Sequence, residues 1–334
     1  MFTKKFYLAL LGAVLFFGIG GVNPAKAVDL KLSHFLPPGH TMHKALLTWV
    51  DVVKKKSGGK INITIFPAGQ MGPMPRQFDL ARTGVADMAL SLHGGTPGRY
   101  PMTEVAQLPF LVKSSEVASR ALTELTPKYL AKEYKGMKAL WSINVPPLNL
   151  NMAKKKISKV SDFKGLRIRH AGKIFAAVVK KLGGTPVAVR PAQAADALAK
   201  GTVDGALFPF EAAMAFKLGA VCDYVVTPGF DSATFSLMIN EAKYKSLSAE
   251  ERKILDSTTG VNEAGRIGAL LDKAEIKGRE YMAANSTIIT LKGAELEKFR
   301  NTVSPVTEEL LKELEAKGLP AREFHAKFKA MNAM

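Results

Sequence analysis

From residue 29 to residue 208 the chain alternates, with one interruption, between segments that favour strands and segments that favour helices. "KINITIF" (60–66) sets Ile61, Ile63 and Ile65 against polar neighbours, the period of two that a half-buried strand requires. Met42 to Ser57 carries Leu46, Trp49, Val50 and Val53 at helical spacing and stops at Gly58-Gly59. Further strands are expected over 29–35 and "VADMALSL", then near 137–143, 166–170, 186–189 and 203–208. Helices are expected over "PRQFDLARTG", near 115–132, and over 173–182 and 192–200. Such alternation predicts an α/β fold of parallel sheets flanked by helices. At 144–165, "NVPPLNLNMAKKKISKVSDFKG", the pattern breaks and then restarts. That break predicts two lobes, and 334 residues are enough for two ordinary domains. From Ser248 to about Asn285 a helical pattern runs for more than 35 residues, opened by a Ser248/Glu251 capping box. A helix of that length would brace both lobes, and 293–331 reads as further helices with charged outer faces.

The first 27 residues read as a secretory leader: Lys4 and Lys5, an uncharged apolar run from Phe6 to Gly21, and a small-x-small cleavage site ending at Ala27. The leader contains three of the 47 basic residues and no acid, which leaves 44 basic against 29 acidic residues, a net charge of +15. Export argues against nucleic acid as the partner of so basic a chain, and a general positive field favours small anions. The single cysteine, Cys222 in "AVCDYVV", permits no intrachain disulfide and reads as a small buried hydrophobe.

No catalytic constellation stands out: there is no phosphate loop, no G-x-S-x-G, no H-E-x-x-H and no cysteine pair for zinc. "HGGTPG" (93–98) lacks the nucleophile elbow that would make it an oxyanion loop. "HFLPPGHTMH" (34–43) holds three of the six histidines, so a metal site from His34, His40 and His43, with His93 as a further ligand, is the alternative reading. No carboxylate or cysteine lies near them in sequence, and a first loop of an α/β lobe is also a common ligand site. In "KGLRIRHAG" (164–172), Arg167 and Arg169 share one face of a short strand, and an arginine at a strand end can hold a carboxylate through two hydrogen bonds.

Six segments, in order and at matching spacing, carry a resemblance over nearly all of the chain after the leader: "SGGKINITIFPAGQMG" (57–72), "RTGVADMAL" (82–90), "LPFL" (108–111), "SDFKGLRIRHAG" (161–172), "LGGTPVAV" (182–189) and "ALAKGTVDGA" (197–206). With them the chain resembles the solute-binding component of tripartite ATP-independent periplasmic (TRAP) transporters, in the dicarboxylate-binding branch. The resemblance implies a two-lobed periplasmic binding protein fold with hinge strands and a long helix spanning both lobes. It implies a leader over 1–27, lobe I over 28–146 with a return segment at about 235–274, and lobe II over 147–234 with about 275–334. It implies no catalysis and no cofactor. The implied partners are a small organic acid and the small and large integral membrane subunits, the protein itself being a monomer in the periplasm.

The same resemblance puts the carboxylate-pairing arginine at Arg169. A second ligand-facing arginine of many relatives is replaced by Pro147, and Arg190 is the other cation that could reach the ligand. Positions that are often polar in relatives are held here by Phe35, Leu92, Phe208 and Phe230, and a glutamate-x-tyrosine pair by Gln193 and Ala195. Phe210 joins this apolar set, and His34 and His93 lie near the same strand ends as hydrogen-bond donors. One fixed cation among apolar walls suits an aromatic or bulky hydrophobic monocarboxylate, or its 2-oxo form, better than a dicarboxylate or a sialic acid.

Overall fold

The computed structural model describes residues 27–333. The leader assigned to residues 1–27 lies outside them except for Ala27. No helix among the described residues is long and apolar enough to cross a membrane.

Two sheets form. The first contains β1 (Val28–Ser33), β2 (Ile61–Phe66), β3 (Met88–Leu92), β4 (Met137–Asn144) and β10 (Thr234–Asn240), in the order β2-β1-β3-β10-β4. The second contains β5 (Leu148–Met152), β6 (Arg167–His170), β7 (Thr185–Ala188), β8 (Gly205–Phe208), β9 (Tyr224–Asp231) and β11 (Thr287–Thr290), in the order β11-β9-β5-β8-β6-β7. The helix Thr41–Lys56 packs Met42, Leu46, Trp49 and Val53 onto the first sheet side and ends on three lysines, which complement its dipole.

The expectation of parallel sheets needs correction. In the first sheet β10 runs antiparallel to both β3 and β4, and in the second β5 runs antiparallel to both β8 and β9. The chain passes directly from β4 into β5 and from β9 into β10, with no helical crossover to restore direction. These two passages lie side by side: Val145 N donates to Ala233 O at 2.9 Å, and Ser232 Oγ donates to Val145 O at 2.6 Å. The segment read as a break therefore contains a fully buried strand, "LNLNM", whose Asn151 donates to the carbonyls of Asn149, Ala206 and Phe208.

The long helical pattern also divides. A helix over Ala249–Ser257 keeps the Ser248/Glu251 capping box, and a second spans Val261–Asn285. Gly260 separates them with φ +84°, a conformation that side-chain-bearing residues rarely adopt, and its N–H leaves the helix to donate to Leu140 O.

The 25-residue helix Val261–Asn285 holds both lobes. Gly268 and Gly278 let it approach two shorter helices: a Cβ at Gly268 would lie 2.5 Å from Ser115 O, and one at Gly278 would lie 2.4 Å from Phe210 C. Asp272 accepts from Ser114 Oγ, Ser115 N and Glu116 N, which caps the helix Ser115–Leu125 beside the first sheet. One turn later Glu275 accepts from Phe210 N and Glu211 N, which caps the helix Phe210–Ala215 beside the second. Asp272→Ala is expected to cost about 2–3 kcal/mol, because it strands three donors that now meet a carboxylate; urea unfolding of the variant measures it.

The segment 275–334, expected wholly with lobe II, is shared. The helix Pro305–Glu315 pairs with the second-lobe helix Lys173–Lys181 through Lys173–Glu313 and Lys181–Glu309. The helix Ala321–Met331 returns to the first lobe, where Glu323 takes hydrogen bonds from Lys128 and Tyr129 and Phe324 packs on the Tyr129 ring.

Candidate functional site

Where the sheets face each other, a cavity opens between the lobes. Phe35, Leu36 and Leu92 reach it from the ends of β1 and β3, and Phe235 from β10. Val145 and Ala233 reach it from the two passages between lobes, and Arg169, Leu207 and Phe208 from β6 and β8. The helical residues Phe175, Glu211 and Ala212, with Phe216 just past a helix end, close the second-lobe side. Among the described residues, Arg169, His40 and Glu211 are the only polar side chains in this wall.

Arg169 is 2% exposed. Its Nε donates to Val189 O at 2.9 Å and its Nη1 to Leu207 O at 3.1 Å. Nη2 has no partner among the described residues, and the guanidinium carbon sits 4.2 Å from the centroid of the Phe208 ring. Burial lowers its pKa to about 9, which still leaves it protonated at neutral pH. The backbone carbonyls fix the plane of the group and leave one nitrogen for an anion. Arg167, two residues away, is exposed and held by Asp204 through Nε and Nη2, each at 3.1 Å. Arg190 is exposed and donates to Gln193 outside the cavity wall.

The sequence-derived candidates separate by face. Phe35, Leu92, Phe208 and Arg169 line the cavity, and Phe35 stacks on Phe235 with centroids 6.2 Å apart. Four others do not line it. His34 and His93 are each one position from a lining residue, but their rings are held by partners within the first lobe. His34 Nδ1 accepts from Leu36 N, and its Nε2 pairs with His43 Nδ1 at 3.0 Å. His93 is held in a buried network, Nδ1 on Thr234 Oγ1 and Nε2 near both Ser236 Oγ and Tyr134 Oη. Phe210 lies under the long helix, with Arg279 over its ring, and Phe230 packs on Phe299 with centroids 4.9 Å apart.

The metal reading is not supported. Among the described residues no group of three or more His, Cys, Asp and Glu side chains is placed to hold an ion. Burial lowers the pKa of His34 and His93 to about 3, so both stay neutral in the fold. A depressed folded-state value contributes stability above the unfolded pKa near 6.5 that is lost as pH falls toward 3. His93→Gln is therefore expected to be less destabilising at pH 5 than at pH 7.5, by about 2 kcal/mol, in paired denaturant titrations.

Residues that sequence reasoning missed include Phe175, Glu211, Phe216 and Phe235. The alternation in "TFSLMIN" around Phe235 was available as a strand signal. Glu211 meets the first lobe only in space: Thr41 N donates to its Oε1 at 2.7 Å across 170 residues. The lobes also touch beside the cavity at Gly94, where a Cβ would lie 2.0 Å from Ala171 O. They are thus closed over the site.

Residues 32–314 match the family described as bacterial extracellular solute-binding protein, family 7. The fold is similar to that of a TRAP solute-binding protein from an unidentified marine microbe, described as specific for aromatic acid ligands and solved with metahydroxyphenylacetate. The two share 30% identity over 92% of this chain and 98% of that one, with a TM-score of 0.88. A TRAP solute-binding protein of Rhodoferax ferrireducens, solved with copurified benzoate, shares 29% identity over 92% and 98% of the two chains, TM-score 0.88. One from Bordetella bronchiseptica, solved with (R)- and (S)-mandelate, shares 28% identity over 92% and 99%, TM-score 0.86.

Proposed function

From the premise that this chain belongs to bacterial extracellular solute-binding protein family 7, the solute receptors of TRAP transporters, we propose that it captures a small aromatic monocarboxylate. The carboxylate pairs with Arg169, and the ring occupies the space between Phe35, Leu92, Phe208 and Phe235. The observation that carries this reading is the unpartnered Nη2 of Arg169 in a wall that is otherwise almost wholly apolar. A cation so placed favours an anion, and the remaining walls favour a flat apolar body. A dicarboxylate would bring its second charge against apolar surface or Glu211, which disfavours it. The ligands of the three relatives, all aromatic acids, support the same class.

Delivery follows from closure. A ligand shifts two lobes toward the closed state only through contacts that the open state lacks. Arg169 on one lobe and Phe35 and Leu92 on the other provide that difference, and the bending falls on Val145–Pro147 and Ser232–Ala233. The closed surface is then read by the membrane subunits, with the protein acting as a periplasmic monomer after its leader is removed.

The test is a thermal-shift screen of protein unfolded and refolded to strip copurified ligand. Benzoates, phenylacetates and mandelate should raise the melting temperature in proportion to the logarithm of their concentration. Succinate, sialic acid and zinc should not. A rise with dicarboxylates alone would remove the proposal.

A further inference from the structure

The cavity holds a second polar feature that a carboxylate on Arg169 does not use. His40 caps the helix Thr41–Lys56, its Nδ1 accepting from Met42 N at 3.3 Å. Burial disfavours the charged ring, against the pull of Glu211 and with the push of Lys44. With Nδ1 accepting, the single ring hydrogen is on Nε2. His40 Nδ1 also lies 3.3 Å from Glu211 Oε1. That oxygen takes its hydrogen from Thr41 N at the shorter distance of 2.7 Å, so the imidazole contact is one of proximity.

This leaves His40 Nε2, a donor, and Glu211 Oε2, an acceptor, with no hydrogen-bond partner among the described residues. Both residues line the cavity and are at most 3% exposed. A donor beside an acceptor in an apolar wall is the complement of a hydroxyl, which gives one hydrogen and accepts another. A second carboxylate would oppose Glu211, and a methyl group would leave both atoms unpaired.

We propose that His40 and Glu211 form a hydroxyl-recognising subsite, so that the favoured ligand is an aromatic acid bearing a hydroxyl group. This rests on Arg169 holding the carboxylate of that same ligand. His40 belongs to the first lobe and Glu211 to the second, so the hydroxyl bridges the lobes and adds a contact that exists only when they close.

The experiment is calorimetric titration of refolded wild-type protein and Glu211→Gln with matched pairs: benzoate against 3- and 4-hydroxybenzoate, and phenylacetate against 3-hydroxyphenylacetate and mandelate. In the wild type at least one hydroxy acid should bind about tenfold or more tightly than its parent. Gln presents an amide donor where the hydroxyl must donate, so the variant should bring that ratio to within about threefold. Wild-type binding of the parents with no hydroxyl preference overturns the subsite alone. Equal loss for parent and hydroxy acid in the variant, the ratio preserved, also overturns it and leaves Glu211 as a contact between lobes. Failure of every aromatic acid to bind overturns the Arg169 reading and this one with it. The wild-type ratio decides the matter even where the variant does not fold.

Discussion

Arg169→Ala should lower affinity for the bound acid by about 3–5 kcal/mol, roughly 150- to 5,000-fold in Kd. The loss is large because the guanidinium is buried and its orientation is already set by two backbone carbonyls. The free Nη2 has only a ligand to meet. Truncation leaves the carboxylate desolvated with no cation. Arg169→Lys keeps a charge but cannot hold Val189 O, Leu207 O and the ligand in one plane, so it should recover only part of the affinity. Titration calorimetry on refolded protein measures both. Affinity of the alanine variant within threefold of wild type would remove Arg169 as the anchor.

Gly94→Ala should abolish closure while leaving each lobe folded. The backbone at Gly94 has no positive φ, so alanine is not strained there by conformation. The cost comes from contact alone: the new Cβ would lie 2.0 Å from Ala171 O and 2.9 Å from Gly172 Cα, backbone atoms that cannot rotate away. Relief requires the loop after β3 and the loop after β6 to part, which opens the cavity. Overpacking of this kind costs about 1–3 kcal/mol, and a backbone clash belongs at the upper end, roughly 100-fold in affinity. Circular dichroism and the ligand-free melting temperature should change little. Small-angle scattering should show the wild type contracting with ligand and the variant not. Contraction and unchanged affinity in the variant would mean that the lobes close by another route.

Much of this architecture was legible in the residues, and the misreadings have physical causes. Isoleucine alternation in "KINITIF" and the apolar face of Thr41–Lys56 are local patterns, and both elements formed as read. The reversal of β5 and β10 is not local: it depends on the chain crossing between sheets, and only the pairing of distant strands reveals it. The helix break at Gly260 was visible as a glycine, but the apolar spacing on either side concealed it.

For the site, contacts between residues distant in sequence decided which candidates reach the cavity wall. Phe35 and Leu92 face the cavity while His34 and His93, one residue away, face the interior of the lobe. Phe210 had moved past a strand end into a helix, where spacing by two no longer keeps a face. His40 was weighed only as a metal ligand because nothing in the sequence places it beside Glu211, 171 positions later.

The position of β10 has a consequence for the order in which the chain is made. β10 separates β3 from β4 in the first sheet, yet it is encoded at 234–240, after five strands of the second sheet. When only the first 150 residues have emerged, β4 has no sheet partner and the first lobe remains in two unpaired pieces. The second sheet likewise lacks β9 until residue 231. Neither lobe can form a complete core before about two thirds of the chain exists, and a ribosome-bound intermediate of 150 residues should be open to protease throughout. Late completion of this kind leaves the growing chain without a closed core for most of its synthesis.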